Sequence, residues 1–199
     1  MNINADNEIN TLGIANVGDM GGTQYDLDIN DSTDGLTLTA DIVSSGGARI
    51  HTASGSGSAG ILAIGTQNIT ASGDVSLAGE TINQSTESTI DATAGAIRID
   101  AGGSTNGLTL AGTVTTSNAT ADAIALVNAQ DATLNVISAT AGTVTLGEET
   151  KELSGTISQV ASTGTLSAAT LEGDAVVVNI TQANIDNVGA LTTTGMLTL

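Results

Sequence analysis

One short motif keeps returning along this chain. Ala92-Thr93-Ala94-Gly95-Ala96-Ile97-Arg98-Ile99 is matched by Ala139-Thr140-Ala141-Gly142-Thr143-Val144-Thr145-Leu146. Thr70-Ala71-Ser72-Gly73-Asp74-Val75-Ser76-Leu77 is a third copy, Thr120 to Leu126 a shortened fourth, and Ser162 to Leu166 a weaker fifth. Marked at Gly73, Gly95, Asp122, Gly142 and Gly164, the copies stand 22, 27, 20 and 22 residues apart. A unit of that length cannot bury a core of its own. It is the length of one coil of a parallel β-solenoid, in which each coil hydrogen-bonds to the next.

Within the copies the apolar residues alternate. Leu36/Leu38, Val75/Leu77, Ile97/Ile99, Leu108/Leu110, Ile124/Leu126, Leu134/Val136 and Val144/Leu146 each set two aliphatic side chains on one strand face. No segment sustains a helical stripe, and the Ala-rich stretch from Asn118 to Leu134 alternates at Ile124-Ala125-Leu126, which favours strand. A further strand is expected near the middle of each interval. Gly, Asn, Asp and Ser interrupt the strands, which is turn chemistry without proline. The expected fold is therefore all-β, a parallel solenoid with coils of 20–27 residues. It forms a single segment over residues 1–199, less regular over 1–34 and repetitive over 35–199, as part of a longer chain or assembly.

Composition fits this and removes other classes. The 199 residues hold 3 Lys or Arg against 21 Asp or Glu, a formal charge of −18. So acidic a surface repels phosphate backbones, and three cations release too few counterions to hold a duplex. Single-strand binding needs stacking aromatics, and Tyr25 is the only aromatic residue. Nucleic acid is not an expected partner. No apolar run approaches the ~20 residues of a membrane helix, and an outer-membrane barrel would need aromatic girdles, so no membrane insertion is expected. A narrow tube lined by Val, Ile, Leu and Ala, by contrast, fills without aromatics. The start, Met1-Asn2-Ile3-Asn4-Ala5-Asp6-Asn7-Glu8, is not a signal peptide; an exported parent would carry its signal elsewhere.

The recurring T-A-x-G-x-[VI]-x-[LI] units resemble the repeat regions of filamentous-haemagglutinin-like exoproteins. Gly107-Leu108-Thr109-Leu110-Ala111-Gly112-Thr113-Val114-Thr115 and Asn184-Ile185-Asp186-Asn187-Val188-Gly189-Ala190-Leu191 share the resemblance, which spans roughly residues 35–199. No counterpart of that family's amino-terminal secretion module is seen. The resemblance implies a right-handed β-helical shaft outside a bacterial cell.

Several motifs invite a chemical reading. Gly55-Ser56-Gly57-Ser58-Ala59-Gly60 formally fits GxGxxG, but Ile61-Leu62-Ala63-Ile64-Gly65 follows as strand, where a dinucleotide site needs a helix. Asp26, Asp28, Asn30, Asp31 and Asp34 are the densest run of oxygen ligands. Asp31 stands where a calcium loop needs Gly and Thr37 where it needs Glu. Leu27 and Ile29 pointing in, with Asp26 and Asp28 pointing out, describe an ordinary strand. Asp26, Asp28, Asp31 and Asp34 nonetheless leave calcium as the one cofactor the chain has oxygens for; no other is expected.

His51 is the sole imidazole and there is no Cys, so a conventional zinc site is excluded. A Ser-His-Asp triad would have to centre on His51; it is expected simply on a strand beside Ile50. Asp100 with Asp122, or Glu148, Glu149 and Glu152, could supply a general acid and base. The chain has almost none of the aromatic and cationic groups of carbohydrate clefts, and Arg49, Arg98 and Lys151 read as partners for nearby acids. No catalytic residue is assigned.

The expected role is a non-enzymatic structural or adhesive shaft of a large secreted or surface protein. Its partners would be neighbouring solenoid segments or other copies end to end, and surface glycans. The rivals are a self-assembling extracellular filament subunit, a calcium-dependent carbohydrate-binding module and a polysaccharide-cleaving enzyme.

Overall fold

The computed structural model describes residues 2–4, 9–18, 26–31, 35–52, 60–102 and 106–199. Tyr25, Asp34 and Gly55 to Ala59 lie outside them. The described residues form strands, turns and bends with no helix, and the chain winds as a parallel β-solenoid. Alternation of Val, Ile and Leu with Thr, Ser and Asn dictates the strands. The ladders then follow from placing the same sequence position of successive coils side by side.

Three ladders run the length of the solenoid. The first joins Asn2–Asn4, Leu27–Asn30, Ala48–His51, Val75–Ala78, Ile97–Asp100 and Ile124–Val127, then the end of Asp131–Leu146, the middle of Thr165–Asn179 and the latter part of Ala183–Thr193. The second begins Thr11–Leu12, Leu36–Leu38, Ile61–Gly65, Thr81–Gln84 and ends at Leu197–Thr198. The third begins Ala15–Val17, Ile42–Ser44, Ile69–Ala71, Thr89–Ala92 and ends at the start of Ala183–Thr193. Every pairing among these strands is parallel. Each coil thus carries two further strands beyond the motif strand, where one was expected.

The registers Val75↔Ile97, Ile97↔Ile124 and Ile124↔Val144 reproduce the motif steps from Gly73 to Gly142. The fifth copy does not hold. Val144 stacks on Leu171, while Leu166 sits on Ile137 in the third ladder. A Gly-Thr-Leu run marks any corner before a strand, so the weak match landed on the wrong side of the coil.

The core is a set of aliphatic columns. Leu27, Ala48, Val75, Ile97, Ile124, Val144 and Leu171 follow one another on the first ladder, and Ile42, Ile69, Ile90, Val114, Ile137 and Leu166 on the third, all buried. Rungs ~4.8 Å apart keep like side chains in contact, and each fully buried Ile or Leu contributes about 1.5–3 kcal/mol. One alternation fails: Leu134 is buried, but Ile137 rather than Val136 occupies the next core site. The strand Asp131–Leu146 turns a corner there, with Val136 paired to Thr113 across a register shift.

The motif glycine has a steric reason. A Cβ at Gly95 would overlap the carbonyl of Gly73 in the coil before it, and one at Gly142 would overlap Ala123. The backbone corners stack directly, and only glycine leaves room.

Candidate functional site

The outer face of the first ladder gathers the chain's scarce basic groups. Register places Asp28, Arg49, Ser76, Arg98, Ala125 and Thr145 in one outward column. Asn30, His51, Ala78, Asp100 and Val127 form the next. Alternation drives the aliphatics on either side inward, so these side chains must point out. Arg49, Arg98 and His51 therefore lie on one face, and Lys151 reaches the same face from a turn.

At one end the groups form a chain of hydrogen bonds. Arg49 Nη1 donates to Asp28 Oδ1 at 2.8 Å. Arg49 Nη2 stands 2.9 Å from His51 Nδ1, and His51 Nε2 stands 2.9 Å from Ser76 Oγ. A guanidinium only donates, so Nδ1 must accept and the ring proton must sit on Nε2. Burial first and then the Arg49 charge, opposed by Asp28, bring the His51 pKa down to about 4. The imidazole is neutral at neutral pH. A serine does stand against the sole histidine, but Arg49 occupies the place of the triad's carboxylate and fixes the opposite tautomer. Nε2 already carries a proton and cannot take one from Ser76.

Farther along, Gly147 enters a turn with φ 81°, and Glu148 and Lys151 pair back to back across it. This turn straps the face. Arg98 makes two bonds to Glu148, 2.6 and 3.0 Å, passing over the rung of Ala125, whose small side chain leaves the path open. Lys151 Nζ lies 2.5 Å from Asp100 Oδ2, and Asn128 Nδ2 lies 2.9 Å from Asp100 Oδ1. The Lys151 carbonyl accepts from the Asn128 N–H at 3.0 Å. Burial by itself would raise the Asp100 pKa; the bonds from Lys151, Asn128 and the Gly102 N–H outweigh it, and the net shift is down. The bond from Arg98 likewise holds Glu148 below its ordinary value.

A depression of about 230 Å³ opens beside the strap, walled by Asp74, Arg98, Asp122, Ala125, Thr145 and Glu148 among others. Of the carboxylates considered for acid and base, it brings Asp122 and Glu148 together. Asp100 is not among its walls, and Glu149 and Glu152 are exposed outside it. Glu148 and Asp100 are each committed to a cation.

The acidic run near residue 30 is dispersed by its strand. Asp28 belongs to Arg49. Asp26, expected on the outer face, is buried at the strand's start, where its carboxylate fills the space beside Gly46. Asp31 continues the inward parity of Leu27 and Ile29 at the other end and is fully buried, with no hydrogen bond to either carboxylate oxygen among the described residues. Asp34 is outside the described residues. Among the described residues no three His, Cys, Asp or Glu side chains converge as a metal cage.

Each of Arg49, Arg98 and Lys151 has an acid as expected, but one or two coils away rather than close in sequence. Ser76 and Asn128 were not anticipated. A signal for Ser76 existed: Ser45-Gly46-Gly47-Ala48-Arg49-Ile50 is an unread copy of the motif, and aligning it would have set Arg49 beside Ser76. No known protein family, curated protein or solved structure matches the chain.

Proposed function

We propose that this chain is a rigid β-solenoid shaft, a non-enzymatic structural segment of a secreted or surface-exposed bacterial protein. The reading rests chiefly on one observation: among the described residues the aliphatic columns and their three backbone ladders continue from coil to coil. Such a body resists bending because each coil is fixed to its neighbours on three sides. The excess of acid keeps rods apart laterally and soluble. The polar face supports the same reading, since its scarce cations are spent tying coils together: Arg49 binds one coil back, and Arg98 and Asp100 are strapped by Glu148 and Lys151. The repeat motif and its resemblance to filamentous-haemagglutinin-like regions supply the extracellular setting. Antibody labelling of intact source cells is expected to detect the chain at the surface. Pulling single molecules by force microscopy is expected to release length in steps of about one coil. Labelling only after lysis, or release of the whole chain in one low-force event, would overturn the proposal.

A further inference from the structure

Val127 is buried where alternation should leave it open. Ile124 and Leu126 point into the core, so Val127 points out, in the column of Asn30, His51, Ala78 and Asp100. Those four are partly covered, whereas Val127 is fully buried although it stands outside the core cluster. The next coil does not cover it from the ladder. Leu146 sits on Leu126 there, and the residue that follows is Gly147, which has no side chain to offer.

The cover is the turn. Residues 148–152 leave the ladder at Gly147, whose φ is 81°, and rejoin it at the buried Leu153. The Lys151 carbonyl accepts from the N–H of Asn128, beside Val127 in the chain, at 3.0 Å. Lys151 Nζ reaches Asp100, the rung partner of Val127, at 2.5 Å. The methylene stem between those two points crosses Val127, an apolar body with its charge at the tip. The Arg98–Glu148 pair crosses Ala125 in the same way.

This cover is lightly held. Glu148, Glu149, Thr150, Lys151 and Glu152 include no apolar residue, and none of the five is buried. Among the described residues, the turn bonds to the coils beneath through Arg98, Asp100 and the Asn128 N–H. The side chains of Arg98, Glu148 and Lys151 are each more than a third exposed, so water competes for both ion pairs. On its far side, Glu148 and Glu149 share a shallow hollow with Glu172 and Asp174, and like charges there oppose closure. The flanking backbone is held differently: the Gly147 N–H donates to the Leu126 carbonyl at 2.8 Å, and Leu153 pairs with Ala175.

We propose that residues 148–152 form a latch, which swings off the first-ladder face as a unit while all three ladders stay formed. Opening exchanges a few exposed hydrogen bonds for water and uncovers one valine. Unravelling a coil would expose whole aliphatic columns, so the latch is the first part of this face to move. The open state presents Val127 between the released Arg98 and Asp100, a surface that the closed rod does not have.

Hydrogen exchange of the unaltered chain in low concentrations of urea tests the latch. The Asn128 N–H is expected to exchange faster than the ladder N–H groups of Ala101 and Gly147. Its rate should be almost indifferent to urea, as for an opening that exposes little surface, while theirs should climb with it. Glu148→Gln is expected to speed Asn128 exchange about 1.4- to fivefold, the worth of one exposed ion pair. The chain has no cysteine, so Val127→Cys gives a second, independent reporter. A maleimide is expected to label it in the folded chain without urea, and to label Leu126→Cys, the inward neighbour, only as the chain unfolds. Asn128 exchanging with the rate and urea dependence of Ala101 and Gly147 would overturn the latch. So would a Val127→Cys thiol as protected as that of Leu126→Cys, or an Asn128 rate that Glu148→Gln leaves unmoved.

Discussion

His51 Nε2 points its proton at the hydroxyl of Ser76, 2.9 Å away, because Arg49 has already claimed the other ring nitrogen. The pair has the spacing of a nucleophile and base with the polarity reversed. Its consequence is for stability. The unfolded chain protonates this imidazole near pH 6.5, the folded chain only at about 4. Between those values the unfolded state binds more protons, so acidification lowers stability across that window and His51 adds no further loss below it. NMR of the imidazole nitrogens is expected to show the Nε2–H form with no titration from pH 7 to 5. Arg49→Met is expected to move the midpoint up towards 6.5 without reaching it, since burial, the larger cause, remains. A midpoint at 6.5 in the unaltered chain would refute this account.

Arg98 and Glu148 meet in a two-point contact, yet both side chains are more than a third exposed. Solvent screens such pairs, and a coupling of about 0.2–1 kcal/mol is expected from a double-mutant cycle with Arg98→Met and Glu148→Gln. Added salt should shrink it. The paired acids add a second pH effect: Asp100 and Glu148 titrate lower when folded, so their contribution is present above their unfolded values and lost as pH falls through the folded ones. A coupling well above that range, indifferent to salt, would mean that the strap is held by something other than this ion pair.

Gly95 and Gly13 differ in what a methyl group would meet. At Gly95 it would overlap the Gly73 carbonyl; at Gly13 nothing lies within 4 Å. Gly95→Ala is expected to destabilise by about 1–3 kcal/mol, the usual range for overpacking, while Gly13→Ala is expected to be neutral or slightly stabilising. Urea unfolding of both variants checks the contrast. Equal midpoints would show that the corners do not stack as closely as described.

The steric role of Gly95 explains why so much of the fold could be read from one chain. Coil stacking forces the same residue types to the same corner, so Gly73, Gly95 and Gly142 announced the register of the first ladder directly. The other two ladders carry no corner signature as sharp, and Leu166 was misplaced for that reason. The polar face was less legible still. Arg98 and Glu148 are 50 residues apart and Lys151 and Asp100 are 51; they meet because Gly147 turns the chain back over Ala125, which no local pattern encodes. Asp26 could not be placed either, since its burial depends on Gly46 in the next coil leaving space.

Among the described residues, Asp31 is an inward position where the sequence works against the fold. It follows Leu27 and Ile29 on the core side of its strand, is fully buried, and neither oxygen has a partner among the described residues. The equivalent position one coil on is Thr52, also buried, whose hydroxyl donates to the Gly60 carbonyl at 2.9 Å. An unpartnered buried polar group costs about 1–3 kcal/mol, more when charged. Asp31→Asn keeps the volume and discards the charge; Asp31→Thr copies the solution of the next coil. Both are expected to raise the melting temperature in calorimetry at neutral pH, with Asp31→Thr the more stable because a hydroxyl can reach a carbonyl as Thr52 does. The same scans with added calcium or chelator decide whether the carboxylate serves an ion instead. If Asp31→Asn melts lower, and calcium raises the melting temperature only when Asp31 is intact, the buried acid is a ligand and not an unrelieved cost.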